Sequence, residues 1–437
     1  MKLFISLSVW LIFAPTFAQS YNSYFTGNSI DAIVNPNGGV CLMGGASEDD
    51  NAMTWFLQQA NGGDILVLRT SGSDGYNDYF YSTLGVTVNS VETIVCNSPA
   101  ASNESYVQER IEKAEAIWFA GGDQWDYISF WRDTPVDSLI NVGISDRDLV
   151  IGGTSAGMAI QGGYYFSAEN GTVTSATALS DPYDSNVTAD GSPFLTNQYL
   201  ENVIMDTHYD NPDRKGRHAV FLARILTDSG VQARGIACDE YTAICVQTDG
   251  IAKVFGQHPT YDDNAYFIQP NCELSDPTPE NCSSGNALTW DKNGTALKVY
   301  SVKGTSNGSN TFDLTDWKTG VGGTWRHWSV SQGNLLETAG TAPNCALSFS
   351  SEISEKFTLK MSPNPSADFV RLRSDKLDFS NCTLKLRSAT GEFTEFNSSP
   401  VGPHEIQIDL SKLATGIYFL TLKNASLEEI KLKLVKK

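Results

Sequence analysis

Beyond residue 18, no stretch of the 437-residue chain reaches the roughly 18 apolar residues that a membrane-spanning helix needs. A membrane-spanning mature protein is therefore not expected. Positive charge is scarce as well: 30 Lys and Arg face 50 Asp and Glu, a formal charge of −20. Such a surface repels nucleic acid and anionic lipid, so neither is expected as a partner. Eight cysteines occur, but none in a CxxC pair and no histidine at zinc-finger spacing, so neither a structural metal nor any other cofactor is expected. Histidine numbers only five, which leaves few candidates for a general base. What remains is ordinary for a folded protein: 41% hydrophobic, 18% charged and 11% aromatic residues. The length suits two or three folded units.

Residues 1–18 carry Lys2, an apolar run from Leu3 to Ala14 and Thr16-Phe17-Ala18, which reads as a secretory signal peptide. Export would permit disulfides. Cys272 and Cys282 bracket a polar, proline-containing loop and have the form of a surface bridge. Cys238 and Cys245 lie in an apolar, strand-like run where buried thiols fit equally well. Charge is uneven along the chain: from Ser351 onward 13 basic residues meet 11 acidic ones, leaving −22 on the part before it. A domain boundary is expected near residue 350.

From Gly39 to about Arg224, short apolar runs alternate with segments of helical period. Val40–Met43, Ile65–Leu68, Thr93–Cys96, Ala116–Phe119 and Leu149–Ile151 read as buried strands, and Asn51–Ala60 and Ser105–Ala114 as helices. This alternation predicts an α/β fold with a doubly wound, mostly parallel sheet. Ligands of such sheets bind beyond the carboxyl ends of the strands, where Gly44-Gly45, Gly121-Gly122-Asp123-Gln124 and Gly152–Gly157 stand. Residues 261–343 lack helical period and read as loops and short strands. After Ser351, five alternating runs predict a small C-terminal β-sandwich.

Gly153-Thr154-Ser155-Ala156-Gly157 fits GxSxG, a strand-turn-helix elbow that lifts a serine hydroxyl clear of its backbone. The first helical amides would face a developing oxyanion. Serine needs a base, and a carboxylate to orient that base. His208 ends the apolar run Val203-Ile204-Met205-Asp206-Thr207 and is expected on the same sheet edge as Ser155, whereas His258, His327 and His404 lie in less regular or C-terminal parts. For the acid, Glu169 follows Ser155 by 14 residues. Asp181 and Asp184 compete from a polar loop, and Asp206 is a further candidate that could instead position a substrate.

Taken together, Gly-Gly-Asp-Gln after a strand, Gly-Thr-Ser-Ala-Gly, Asp-Thr-His and Gly235–Ala243 resemble cyanophycinase and its relatives among the serine peptidases, aspartyl dipeptidase included. The resemblance implies a fold similar to class I glutamine amidotransferases, with Ser155 as nucleophile, His208 as base and Glu169 as acid. It also implies oxyanion amides at Gly122 and Ala156 and a pocket lined by Asp123 and Gln124; Arg214 and Arg217, to grip substrate carboxylates, and Asp206, from its place beside His208, are the further substrate-binding candidates. Hydrolysis of aspartyl or β-aspartyl peptide bonds, such as those of cyanophycin, is the expectation. An aspartyl dipeptidase, an isoaspartyl peptidase or an inactive surface peptide-binding protein are the alternatives. Two features depart from the family: Thr207 stands where cyanophycinases usually carry Gln, and the arginines arrive late, after Asp210-Asn211-Pro212-Asp213.

The tail resembles the C-terminal sorting domain of the type IX secretion system, through Met361-Ser362-Pro363-Asn364-Pro365, Gly416–Leu420 and the terminal Lys431–Lys437. A secreted or cell-surface protein follows from it. Its expected partners are a peptide or polypeptide substrate and the secretion machinery, and a homodimer is compatible with the sequence.

Overall fold

The computed structural model describes residues 19–345, apart from 198, and the greater part of 360–437. The signal-peptide expectation, and Asn364 and Pro365 of the tail motif, lie outside the described residues. The chain divides into two compact units, Met1–Pro343 and Asn344–Lys437.

Strands of the first unit are, in chain order, β1 (Tyr21–Gly27), β2 (Val40–Met43), β3 (Asp64–Arg69), β4 (Ser90–Cys96), β5 (Ala116–Phe119), β6 (Val150–Thr154), β7 (Tyr165–Phe166), β8 (Ala189–Asp190), β9 (Val203–Asp206), β10 (Arg234–Cys238), β11 (Ala243–Val246), β12 (Ile251–Phe255), β13 (Asn264–Pro270), β14 (Leu297–Lys303), β15 (Asn310–Asp313), β16 (Gly320–Val321), β17 (Gly323–Ser331) and β18 (Asn334–Ala339). Ten of them form one mixed sheet in the order β1-β4-β3-β5-β6-β2-β11-β12-β15-β16. Its centre, β4-β3-β5-β6-β2, is parallel throughout.

The central strands are apolar without alternation because both faces are covered. On β5, Ile117 and Phe119 pack with Ile111, Ile128 and Trp131 on one face, while Ala116 and Trp118 pack with Phe56 and Phe80 on the other. Helix Asp50–Gln59 supplies Phe56. It starts where the Asp49 carboxylate accepts from the amides of Asn51 and Ala52, and it buries the expected face of Met53, Phe56 and Leu57.

A second sheet of six strands, in the order β18-β17-β14-β13-β10-β9, corrects two expectations. First, His208 follows a strand of this sheet and not of the one that carries Ser155. The carboxyl ends of both sheets meet at the elbow, where the His208 amide donates to the Gly44 carbonyl at 2.8 Å. Second, residues 261–343 hold longer strands than expected among their loops. β13, β14 and β17 run seven, seven and nine residues, and β13 pairs antiparallel with β10, β14 with β13 and β17 with β14. All seven residues of β13 are buried, so the period-two signal of a half-exposed strand is missing there. One cysteine expectation also fails: Cys272 is disulfide-bonded but Cys282 is a free thiol, so they do not bridge.

The second unit contains two antiparallel sheets. Lys360–Ser362, Phe369–Arg373, Glu405–Asp409 and Asn397–Gly402 form one, and Cys382–Ser388, Gly416–Asn424 and Ile430–Lys436 the other. Val370, Leu372 and Ile408 of the first share a core with Leu386, Leu420 and Leu434 of the second, which makes a sandwich.

Candidate active site

Ser155 sits between β6 and the short helix Ala156–Ala159 with φ 53 and ψ −116, a conformation that non-glycine residues rarely adopt. The flanking glycines make the turn possible. A Cβ on Gly153 would lie 2.5 Å from the Gly157 carbonyl, and one on Gly157 only 2.1 Å from the Phe119 oxygen. The Ser155 amide is tied to the Met43 carbonyl at 3.0 Å, which fixes the elbow against the end of β2.

The hydroxyl so presented lies 2.8 Å from Nε2 of His208. Gly45 makes room for the ring: with φ +118, it places a hypothetical Cβ 2.4 Å from Nε2 and Cε1 of His208. Nδ1 of His208 is 2.6 Å from Oε1 of Glu240, and Oε2 accepts from Asn211 at 3.3 Å. The Glu240 amide donates to Asp210 at 2.9 Å, so the carboxylate is held from its backbone as well. The hydrogen bond from His208 holds the Glu240 carboxyl below the ordinary range. An ionised carboxylate only accepts, so Nδ1 carries the proton. Nε2 is then the acceptor that faces the serine O–H.

Glu169, the acid expected from the sequence, is not brought to the ring. It is exposed, two residues beyond Ser167, whose hydroxyl accepts from the Glu169 amide at 3.4 Å. Glu240 stands two residues after the apolar strand β10, much as His208 stands two residues after β9. Glu169 follows only the two-residue β7.

A cleft of about 470 Å³ opens beside Ser155 and His208, lined among others by Gly122, Asp123, Gln124, Phe166, Thr207, Arg214 and Arg217. Asp123 caps helix Gln124–Trp131 through its carboxylate to the Trp125 amide at 2.9 Å. Gln124 Nε2 donates to the Phe166 carbonyl at 3.3 Å. Ala156 is the first residue of its helix, a position whose amide has no partner within the helix. It is buried beside the serine, and Gly122 reaches the cleft from the end of β5.

The two arginines differ in what they have left to give. Arg217, 3% exposed, forks onto Asp206, also 3% exposed, at 2.8 and 2.5 Å, and its remaining nitrogen reaches Thr172 and the Val173 carbonyl. Burial, the largest single influence, would raise the Asp206 carboxyl, but the charge and hydrogen bonds of Arg217 together with the other positive charge around it hold the group low. Removing either partner would strand a buried charge and cost about 3–5 kcal/mol. Arg214 spends one nitrogen on the Thr207 carbonyl at 2.9 Å and keeps the rest of its fork. Burial and then the neighbouring Arg217 charge lower its pKa. Asp206 thus braces an arginine and does not touch His208. Among the described residues no cluster of His, Cys, Asp and Glu is arranged to hold a metal ion.

Residues 69–254 match Peptidase family S51, and residues 360–437 match the secretion system C-terminal sorting domain. The chain is 30% identical over 152 residues to a cyanophycinase of Geminocystis herdmanii, covering 34% of this chain and 49% of that protein. It is 25% identical over 233 residues to one from Synechococcus elongatus, covering 50% and 65%. The matches therefore span about half to two thirds of these relatives. Among solved structures, a peptidase from an acI-B1 Actinobacterium is similar at 14% identity and a TM-score of 0.38, over 51% of this chain and 89% of that one. A putative peptidase E from Listeria monocytogenes gives 14% and 0.32, over 50% and 98%.

Proposed function

We propose that this chain, with a Peptidase family S51 segment at residues 69–254 and a sorting domain at its end, is an exported serine peptidase that forms an acyl-enzyme on Ser155. The observation that carries the reading is the continuous line from Ser155 Oγ through His208 to Glu240, at 2.8 and 2.6 Å. In this mechanism His208 Nε2 takes the hydroxyl proton as Oγ attacks the peptide carbonyl, and Glu240 stabilises the imidazolium that results. The amides of Gly122 and Ala156 receive the oxyanion. A donor of this kind is worth about 3–4 kcal/mol of barrier. His208 then passes its proton to the leaving amine, and water, activated by the same ring, releases the acyl group from Ser155.

For substrate, the reading is an aspartyl or β-aspartyl peptide, in keeping with the cyanophycinases among the relatives. Arg214 pairs with a substrate carboxylate, Gln124 lines the same cleft, and Arg217 acts through the Asp206 brace. With one open arginine where two were expected, small aspartyl peptides fit better than a long polymer. The sorting domain, with the signal peptide read at residues 1–18, supports passage through the type IX machinery to the cell surface or beyond.

The test is product analysis by mass spectrometry. Residues 19–350 are incubated with purified cyanophycin and with α- and β-linked aspartyl dipeptides, and the Ser155→Ala chain serves as control. Cleavage of the dipeptides by wild type alone is expected. Equal products from Ser155→Ala, or none from a folded wild type on any substrate, would overturn the assignment.

A further inference from the structure

Positive φ is costly for a bulky side chain, because Cβ is pressed toward its own carbonyl, and it persists where something else demands that residue. Tyr241 has φ 62. Its amide donates to the Gly45 carbonyl at 3.1 Å, and Gly45 is the residue whose missing Cβ admits the His208 ring. The backbone of Tyr241 therefore lies beside the imidazole, one residue after Glu240.

No hydrogen bond or ring contact of the side chain offsets this strain. It is 49% exposed, and among the described residues its ring meets no other ring and its hydroxyl has no hydrogen-bond partner. Asn, Asp or Gly would hold the same φ with less strain. Nor does Tyr241 line the cleft beside Ser155, whose wall includes Gly122, Gln124, Phe166 and Arg214. An exposed aromatic outside that cleft, with its backbone next to the base, is available to the part of a bound peptide that extends past His208. That is the side to which the imidazole delivers its proton, and so the side of the leaving-group residue.

We propose that Tyr241 is a specificity-determining residue whose ring forms a platform on which a flat side chain of the leaving-group residue, aromatic or guanidinium, stacks. The proposal rests on the peptidase reading of the site, but its test measures binding alone. Failure of the peptidase reading would appear as absent hydrolysis by wild type, a separate measurement.

The experiment is calorimetric titration of the full Ser155→Ala chain with β-aspartyl dipeptides ending in Phe, Arg or Ala. The Phe or the Arg peptide, or both, binds about two- to tenfold more tightly than the Ala peptide. Which of the two gains tells whether the platform takes rings, guanidinium groups or both. Adding Tyr241→Asn abolishes the preference, and adding Tyr241→Phe keeps it. Because strain is relieved, Tyr241→Asn melts no lower than its parent and up to about 3 °C higher, unlike a variant damaged in folding. The absence of any preference in the Ser155→Ala chain, or its persistence in Tyr241→Asn, overturns the proposal.

Discussion

Glu240 is gripped by His208, Asn211 and Asp210 in a way that Glu169 is not, and the difference can be measured. Glu240→Gln keeps the shape but removes the charge that steadies the imidazolium and can leave the wrong tautomer on His208. A fall in kcat of about 10²- to 10⁴-fold is expected, with kinetics on an aspartyl dipeptide as the check. Glu169→Gln leaves kcat within about twofold of wild type, since an exposed side chain away from the ring has no part in the relay. At this scale the meeting of Ser155 and His208 was legible because each follows an apolar strand with a chemically apt residue. Glu240 was not singled out as the carboxylate at the ring, because Glu169 follows Ser155 by 14 residues and stands after the apolar Tyr164-Tyr165-Phe166. Spatial neighbourhood is set by β10 returning from 85 residues further on. Arg217 was legible as a charge near the pocket, but its commitment to Asp206 depends on the fold.

Turns and strand ends decide whether these side chains meet at all. Gly45→Ala would push a methyl group to within 2.4 Å of the His208 ring, at a φ of +118 that alanine resists. The ring must move, so activity is expected to fall by at least about 10²-fold, and the strained φ at this buried glycine lowers the melting temperature too, though less than a clash with core backbone does. Gly157→Ala, with its methyl group 2.1 Å from the Phe119 carbonyl, strikes backbone inside the core and should lower the melting temperature as well as the rate. Thermal unfolding read beside kinetics separates the two. Parallel strands and their helices were legible from apolar runs alternating with helical period. The second sheet was not. β13 is buried along its whole length, and polar, glycine-rich loops between β14 and β17 mask the strands they join. The stretch read as irregular is the layer that backs β10, and so it carries Glu240 into place.

Across the first unit, His218 ties helix Lys215–Ser229 to the second sheet through the Ile204 carbonyl and the Tyr209 hydroxyl, both at 3.2 Å. Burial drives its pKa down to about 4, against the attraction of Asp206 and with the repulsion of Arg217. The folded state therefore holds His218 neutral, and the unfolded chain takes up the proton first as pH falls. Its contribution is fully present above about pH 6.5 and is lost progressively toward pH 4, amounting to about 2 kcal/mol between pH 7 and 5. Glu115 and Asp239, whose carboxyls burial lifts to about 7, act in the opposite direction. The prediction is accordingly a difference: denaturant melts at pH 7 and 5 should show a smaller loss in His218→Asn than in wild type. The C-terminal unit has its own core and no part in the relay, so a chain ending at residue 350 keeps the rate of the full chain.

The account stands most directly on the line Ser155–His208–Glu240, and covalent labelling reads that line without knowledge of the substrate. Wild type, Ser155→Ala, Glu240→Gln and Glu169→Gln are each exposed to a fluorophosphonate and followed by intact mass and peptide mapping. One adduct on Ser155 is predicted in wild type, none in Ser155→Ala, labelling slowed by at least about tenfold in Glu240→Gln, and the wild-type rate in Glu169→Gln. Labelling that is indifferent to Glu240, or that falls on another residue, would contradict it.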